Sequence, residues 1–279
     1  MPARSSGIIR AHVLLLLGLP IYVGLVWGLQ RMLNLGQQPV GWLPALAVVL
    51  IPALIWMVHF YLQDRYEPEP THYVLFVFLL GALVAAPLAN WLIEGVFTVD
   101  RWTRTRYSAG DIAATFLVIA AGQEFFKYIV VRYTVYLSDE FDEPADGIVY
   151  STAAGIGFAT ALNFKYISSG VMLTVGAVNV TIITLSHACF SGAVGYAMGQ
   201  AKFAKKGQSQ KILILGFLAA VFLNGSFQLL QSLARSGLDL SPWRGLALTG
   251  GFAAMVFGAV SWLMKRSLRP PEQPAASEG

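Results

Sequence analysis

Apolar residues fall in long runs along this chain, separated by short polar segments. A helix that crosses a bilayer needs about 20 predominantly apolar residues. Eight runs reach that length: 8–30, 41–63, 72–97, 112–138, 146–168, 171–201, 211–234 and 245–265. The fifth is the weakest by hydropathy, being rich in Gly, Ala, Ser and Thr. The sixth is long enough to tilt or to start outside the membrane. Trp42, Trp102, Trp243 and Trp262 fall near span ends, where indole rings sit well at the interface. The pattern predicts an all-α polytopic bundle of about eight transmembrane helices. It reads as one domain over 1–268 with a chemistry-bearing core over 112–234. A Pro-, Ala- and Ser-rich tail over 269–279 reads as disordered.

Composition agrees. Of 279 residues, 56% are hydrophobic and 12% charged, half the charged fraction of a soluble domain, about 25%. Mean hydropathy is +0.61. The net charge of +4 needs no nucleic acid: no basic run is interleaved with aromatics for base stacking, and anionic lipid accounts for basic loops. Cys189 stands alone, so there is no intramolecular disulfide and no cysteine-based metal cluster. Its apolar surroundings read as packing. Arg4 and Arg10 before an apolar run resemble a signal peptide. With no small-residue cleavage site and many spans to follow, the first helix reads as retained. The Lys202, Lys205, Lys206 and Lys211 loop carries most of the basic bias, which puts both termini in the cytoplasm and the chain in the cell (inner) membrane.

One stretch breaks the apolar pattern at bilayer depth: Gly122-Gln123-Glu124-Phe125-Phe126-Lys127-Tyr128. Charge there is costly and marks function by default. Glu124 and Lys127, three apart, share a helix face and are each other's nearest partner. A structural ion pair is the bland alternative. Two later spans carry small residues every four positions: Gly147, Ser151, Gly155 and Ala159 leading to Asn163, and Ser191, Gly195 and Gly199 following His187. Such rows let helix backbones approach closely in lipid.

Counting from the cytoplasmic ends gives a common depth. Glu124 lies 14 residues before Ser138, His187 14 before Ala201 and Asn224 13 after Lys211. At 1.5 Å per residue, each is about 20 Å deep. Asn163 lies somewhat nearer the outer side, and Gln123 and Gln228 are close by. This layer suits hydrolysis. Glu124 would act as general base on water, with His187 donating to the leaving nitrogen or oxyanion. Asn163 or Asn224 would supply oxyanion donors, and Lys127 would orient Glu124. Taken singly, each polar residue also serves as interhelical glue. Zinc catalysis wants three protein ligands, and only Glu124 and His187 are intramembrane candidates, so no metal or other cofactor is expected. The acidic stretch Asp139–Gly147 reads as a helix N-terminus with Pro144 in its first turn.

Glu124-Phe125-Phe126-Lys127, Phe141-Asp142-Glu143-Pro144-Ala145-Asp146-Gly147-Ile148-Val149-Tyr150, Gly157-Phe158-Ala159 with Asn163, and His187 before a Gly-rich stretch resemble the PrsW family of intramembrane proteases. The resemblance covers the fourth to seventh spans. It implies a helical bundle related to the CAAX prenyl protease group. It also implies cleavage of single-span, membrane-tethered proteins such as anti-sigma-factor-like regulators, with the lipid bilayer as the other partner. The family is described as metal-dependent or as glutamic-type, and this sequence fits the second. It departs from the family pattern at three positions: Gln123 replaces the first of two glutamates, Leu162 replaces a Glu before Asn163, and Asn224 stands where a second His is usual. Glu124, Lys127, Asn163 and His187 remain. The leading reading is a glutamic-type intramembrane peptidase. The alternatives are a catalytically silent relative that binds transmembrane segments as adaptor or chaperone and, ranked below it, a proton-coupled transporter.

Overall fold

The computed structural model describes residues 2–36, 38–64, 67–102, 108–205, 207–234 and 241–268, with side chains outside that description at 2–12, 100 and 102. The tail over 269–279 and the loop cations Arg65, Arg104, Arg106, Lys206 and Arg235 lie outside the described residues. So do the side chains of Arg4, Arg10 and Trp102.

Eight long apolar helices account for the described chain: α1 (Pro2–Met32), α2 (Trp42–Tyr61), α3 (Thr71–Val96), α4 (Ala109–Thr134), α5 (Asp146–Ser168), α6 (Leu173–Lys202), α7 (Ser209–Ser232) and α8 (Pro242–Ser267). No strand occurs among the described residues. The chain is a multi-pass membrane protein, as its hydropathy predicts. The fourth span, expected to reach 138, ends as α4 at Thr134, because Val135–Ser138 turns toward the acidic segment.

The bundle is built on α5 and α6. Both are buried along most of their length, whereas α1, α7 and α8 present mostly lipid-facing surface. The small-residue rows explain the contact. A Cβ added at Gly147 would run into the carbonyl of Gly195, and one at Gly155 into that of His187. On another face of α5, a Cβ at Gly157 would strike the carbonyl of Phe78 in α3. Main chain therefore lies against main chain on two sides of α5, where dispersion rather than hydrophobic exclusion holds helices together in lipid. Gln30 of α1 caps the start of α6, accepting from Thr174 N at 2.9 Å and Thr174 Oγ1 at 2.7 Å.

Two helices are not regular. In α3, Gly81–Ala85 and Trp91–Val96 form wide π turns, and in α4 Thr115–Ala120 does so. A π turn rotates the succeeding residues about the helix axis and is common near functional sites. The one in α4 ends just before Gln123 and Glu124, and both point inward: Gln123 is 8% exposed and Glu124 fully buried. Phe116, within that turn, packs where Gly225 of α7 leaves room.

Pro144 lies in a turn before the helix rather than in its first turn. Asp146 opens α5, and its carboxylate accepts from the Glu143 N–H at 2.6 Å. At the same end, Lys202 of α6 donates to the carbonyls of Tyr136 and Ser138 at 2.9 and 3.3 Å, satisfying groups that the end of α4 leaves open.

Candidate active site

The polar layer is a connected network. Lys127 Nζ lies 2.6 Å from Glu124 Oε1 and 3.3 Å from His187 Nδ1. Asn224 of α7 donates from Nδ2 to the same Glu124 Oε1 at 2.7 Å and to Gln123 Oε1 at 3.0 Å. Gln228 donates to Gln123 Oε1 at 3.4 Å and to Asn224 Oδ1 at 3.1 Å. Three helices thus converge through five of the six residues singled out in the sequence: Gln123, Glu124 and Lys127 from α4, His187 from α6 and Asn224 from α7. Asn163 of α5 stands apart. Its Nδ2 donates to the Val180 carbonyl at 3.3 Å and to Thr184 Oγ1 at 3.0 Å, one turn outward from His187 along α6.

The network sits in apolar surroundings. Phe158, Phe190 and Phe227 are buried around it. The Lys127 ammonium lies 5.2 Å from the Phe158 ring centroid, and the His187 ring 5.3 Å from the same ring. Charges here are shielded little by solvent, so the pair depends on the partners that Lys127, Asn224 and His187 supply. An ammonium has only donors to offer, which makes His187 Nδ1 an acceptor and assigns the imidazole proton to Nε2. Glu124 Oε1 is doubly engaged. Its other oxygen, Oε2, has no hydrogen-bond partner in the protein. Both amide protons of Asn163 are committed, and so are both of Asn224; Asn163 Oδ1 is buried without a partner.

A cavity of about 220 Å³ adjoins the network, lined by Gln123, Leu162, Asn163, Tyr166, His187 and Gln231 among others. Glu124 and Lys127 are one residue removed from it, through His187 on one side and Gln123 with Asn224 on the other. Gln231 went unnoticed in the sequence. The signal was there: Asn224, Gln228 and Gln231 are spaced four and three apart, which places them on one face of α7.

A metal needs a different donor set. Around Glu124 the ionisable groups are one carboxylate, one imidazole and an ammonium placed between them. The cation position is thereby filled by Lys127, and the remaining neighbours are amides. Among the described residues, Asp64, Glu69 and Asp146 do bring their carboxylate oxygens within 4.8 Å of one another. This group is at the opposite end of α5 from Asn163, by the α2–α3 loop. Tyr150, one turn into α5, donates its hydroxyl to Glu69. Burial, together with the hydrogen bond and charge of Asp146, pushes the Glu69 carboxyl up to about 10. Glu69 therefore carries a proton at neutral pH and shares it with Asp146.

Comparison with known proteins accords with this geometry. The family described as "PrsW family intramembrane metalloprotease" matches residues 69–264. Protease PrsW of Geobacillus kaustophilus is 38% identical over 177 residues, 63% of this chain and 74% of that protein. Protease PrsW of Oceanobacillus iheyensis is 31% identical over 205 residues, 72% of this chain and 89% of that one. Protease PrsW of Bacillus subtilis is 29% identical over 181 residues, covering 64% and 78%. No solved structure matches. The match takes in every element that builds the polar network, and with it the chain belongs to the PrsW family of intramembrane proteases.

Proposed function

We propose that this intramembrane protease hydrolyses peptide bonds of single-span membrane proteins with Glu124 as general base. The observation that carries the reading is the asymmetry of the Glu124 carboxylate: Oε1 is held by Lys127 and Asn224, and Oε2 is left open. Lys127 and Asn224 fix the carboxylate's orientation and keep it anionic. Oε2 takes a proton from water as the water oxygen bonds to the substrate carbonyl carbon. Collapse of the tetrahedral adduct breaks the C–N bond, and the Glu124 carboxyl returns the proton to the departing nitrogen. His187, held at Nδ1 by Lys127, presents Nε2–H to the developing oxyanion. Asn163 and Asn224, with their amide protons committed, act by positioning. Gln123 anchors Asn224 and Gln228.

The metal named in the family description does not fit these donors. Lys127 stands in the cation position, and the three replaced positions, Gln123, Leu162 and Asn224, bring no further charged ligand. The Lys202–Lys211 loop and the alternation of eight helices support a cytoplasmic location for both termini in the cell membrane. Anti-sigma-factor-like regulators are the substrate class the resemblance points to.

The test is cleavage of a panel of single-span reporters in liposomes by wild type and Glu124→Gln. Loss of cleavage in a folded variant supports the base. Retained turnover removes Glu124 from the role. Reporters that bind and are never cut would identify the silent adaptor instead.

A further inference from the structure

Hydrolysis at mid-bilayer depth needs water, and lipid supplies none. A second cavity, of about 350 Å³, lies at the end of the bundle where the α5–α6 loop runs. Its floor is the outer part of α6, and its sides are the end of α7 and the start of α8, two helices that touch each other little. Tyr166 and Gln231 line both this cavity and the inner one beside His187, so they form the partition between the two.

The walls carry polar atoms that the protein leaves unmatched. Asn179, only 6% exposed, lines the outer cavity, and its buried Nδ2 has no partner in the protein. Gln231 at the partition and the fully buried Asn163 in the wall of the inner cavity likewise leave Nε2 and Oδ1 unmatched. An unsatisfied buried polar group is costly. Three in succession along one path, beside volumes many times the roughly 30 Å³ share of a water molecule, ask for a mobile hydrogen-bonding filler. Along α6, Asn179 is 6 residues inward from Leu173 and His187 is 14, or about 9 and 21 Å at 1.5 Å per residue. The amides thus span the distance from the membrane face to the network.

We infer that the two cavities form a water inlet. It opens on the membrane face that carries the α5–α6 loop, is gated by Tyr166 and Gln231, and uses Asn179, Gln231 and Asn163 as relay sites toward His187 and Glu124. The inlet rests on the protease reading for its purpose, but its existence is measurable without any cleavage.

Cys189 is fully buried and is the single cysteine, so a Cys189→Ala background is clean for thiol labelling. Asn179→Cys, Gln231→Cys and Gln228→Cys are placed in sealed proteoliposomes and treated with a membrane-impermeant cationic methanethiosulfonate from each face in turn. Phe222→Cys, lipid-facing at 63% exposure, is the control. The expected result is labelling from the α5–α6 loop face alone, at rates falling from Asn179→Cys through Gln231→Cys to Gln228→Cys. Each should react at least tenfold faster than the control. Tyr166→Trp should slow labelling at Gln228→Cys about tenfold and leave Asn179→Cys unchanged. Labelling from the opposite face, or rates no higher than at Phe222→Cys, overturns the inlet. Should Gln228→Cys fail to fold, Gln231→Cys carries the same decision. Repeating the series in Glu124→Gln separates the two readings: labelling that persists while no wild-type reporter is cleaved keeps the inlet and rejects the protease mechanism.

Discussion

Two polar clusters lie in this bundle, and they neutralise buried carboxylates in opposite ways. At Glu124 the charge is answered by another side chain, the ammonium of Lys127 at 2.6 Å. At Glu69 the acid keeps its own proton and shares it with Asp146, while Tyr150 donates to it. The first arrangement sets a cation beside the carboxylate deep in a low-dielectric interior and leaves one oxygen without a partner. The second removes a charge near the membrane edge and ties the α2–α3 loop to α5. An ionised carboxylate is what a base requires, and a neutral one is what a structural clasp requires. On the proposed mechanism, the difference separates a cluster for chemistry from one for fastening.

The sharpest way to break this contrast is Glu124→Gln. Removing a general base typically costs about 10²–10⁴ in rate. Reporter cleavage in liposomes should fall by that much; because Lys127 then loses its carboxylate, circular dichroism and size exclusion at the assay temperature check that the variant is folded. Next is Lys127→Met, which strands Glu124 as a buried anion. Losing one member of a buried pair costs about 3–5 kcal/mol, seen as a lower unfolding midpoint in detergent. Glu124→Gln with Lys127→Met should recover most of that loss, because neither charge is then alone. A double variant no more stable than Lys127→Met would show that the pair is not the unit described.

The smaller effects probe the other cluster and the frame. Gly157→Ala should cost about 1–3 kcal/mol through overpacking, since the new methyl meets the Phe78 carbonyl. Thermal stability should also depend on pH through Glu69. Its proton is held up to about pH 10 in the folded chain, against an ordinary value of 4.5. The folded state therefore binds the proton more tightly, and the stabilisation is complete below about pH 4.5 and lost as pH rises through 10. Glu69→Gln, a permanently neutral amide, should flatten that decline. A slope unchanged by the substitution would place the titration elsewhere.

The helices were legible because a bilayer imposes length and hydropathy on every span, and the eight runs match α1–α8 within a few residues. The convergence of Glu124, Lys127, His187 and Asn224 was legible because a polar residue at bilayer depth has few other reasons to be there. What escaped was set by local geometry. The π turn before Gln123 leaves no mark on apolar periodicity. Asn163 lies about one turn outward of the network and hydrogen-bonds to α6 instead, because the Val180 carbonyl and Thr184 hydroxyl are nearer partners. Gln123, which in the sequence reads as a neighbour of the polar layer and a substituted glutamate, accepts hydrogen bonds that hold α7 to α4. Glu69 reads as one acid in a Pro-rich loop, since its partners Asp146 and Tyr150 are some 80 residues away.

The bare backbone of α5 has a consequence for how this sequence can vary. Where carbonyls of the neighbouring helix occupy the space that a methyl would need, as at Gly147 and Gly155, no compensating change in a neighbour's side chain can make room. In a saturation library read by cleavage, this row should appear as a stripe of positions closed to every residue but glycine. The aromatic shell around His187 should tolerate exchange by volume. Tuning the protease toward new substrates would then proceed by altering the shell and the inlet, on an axle that stays invariant.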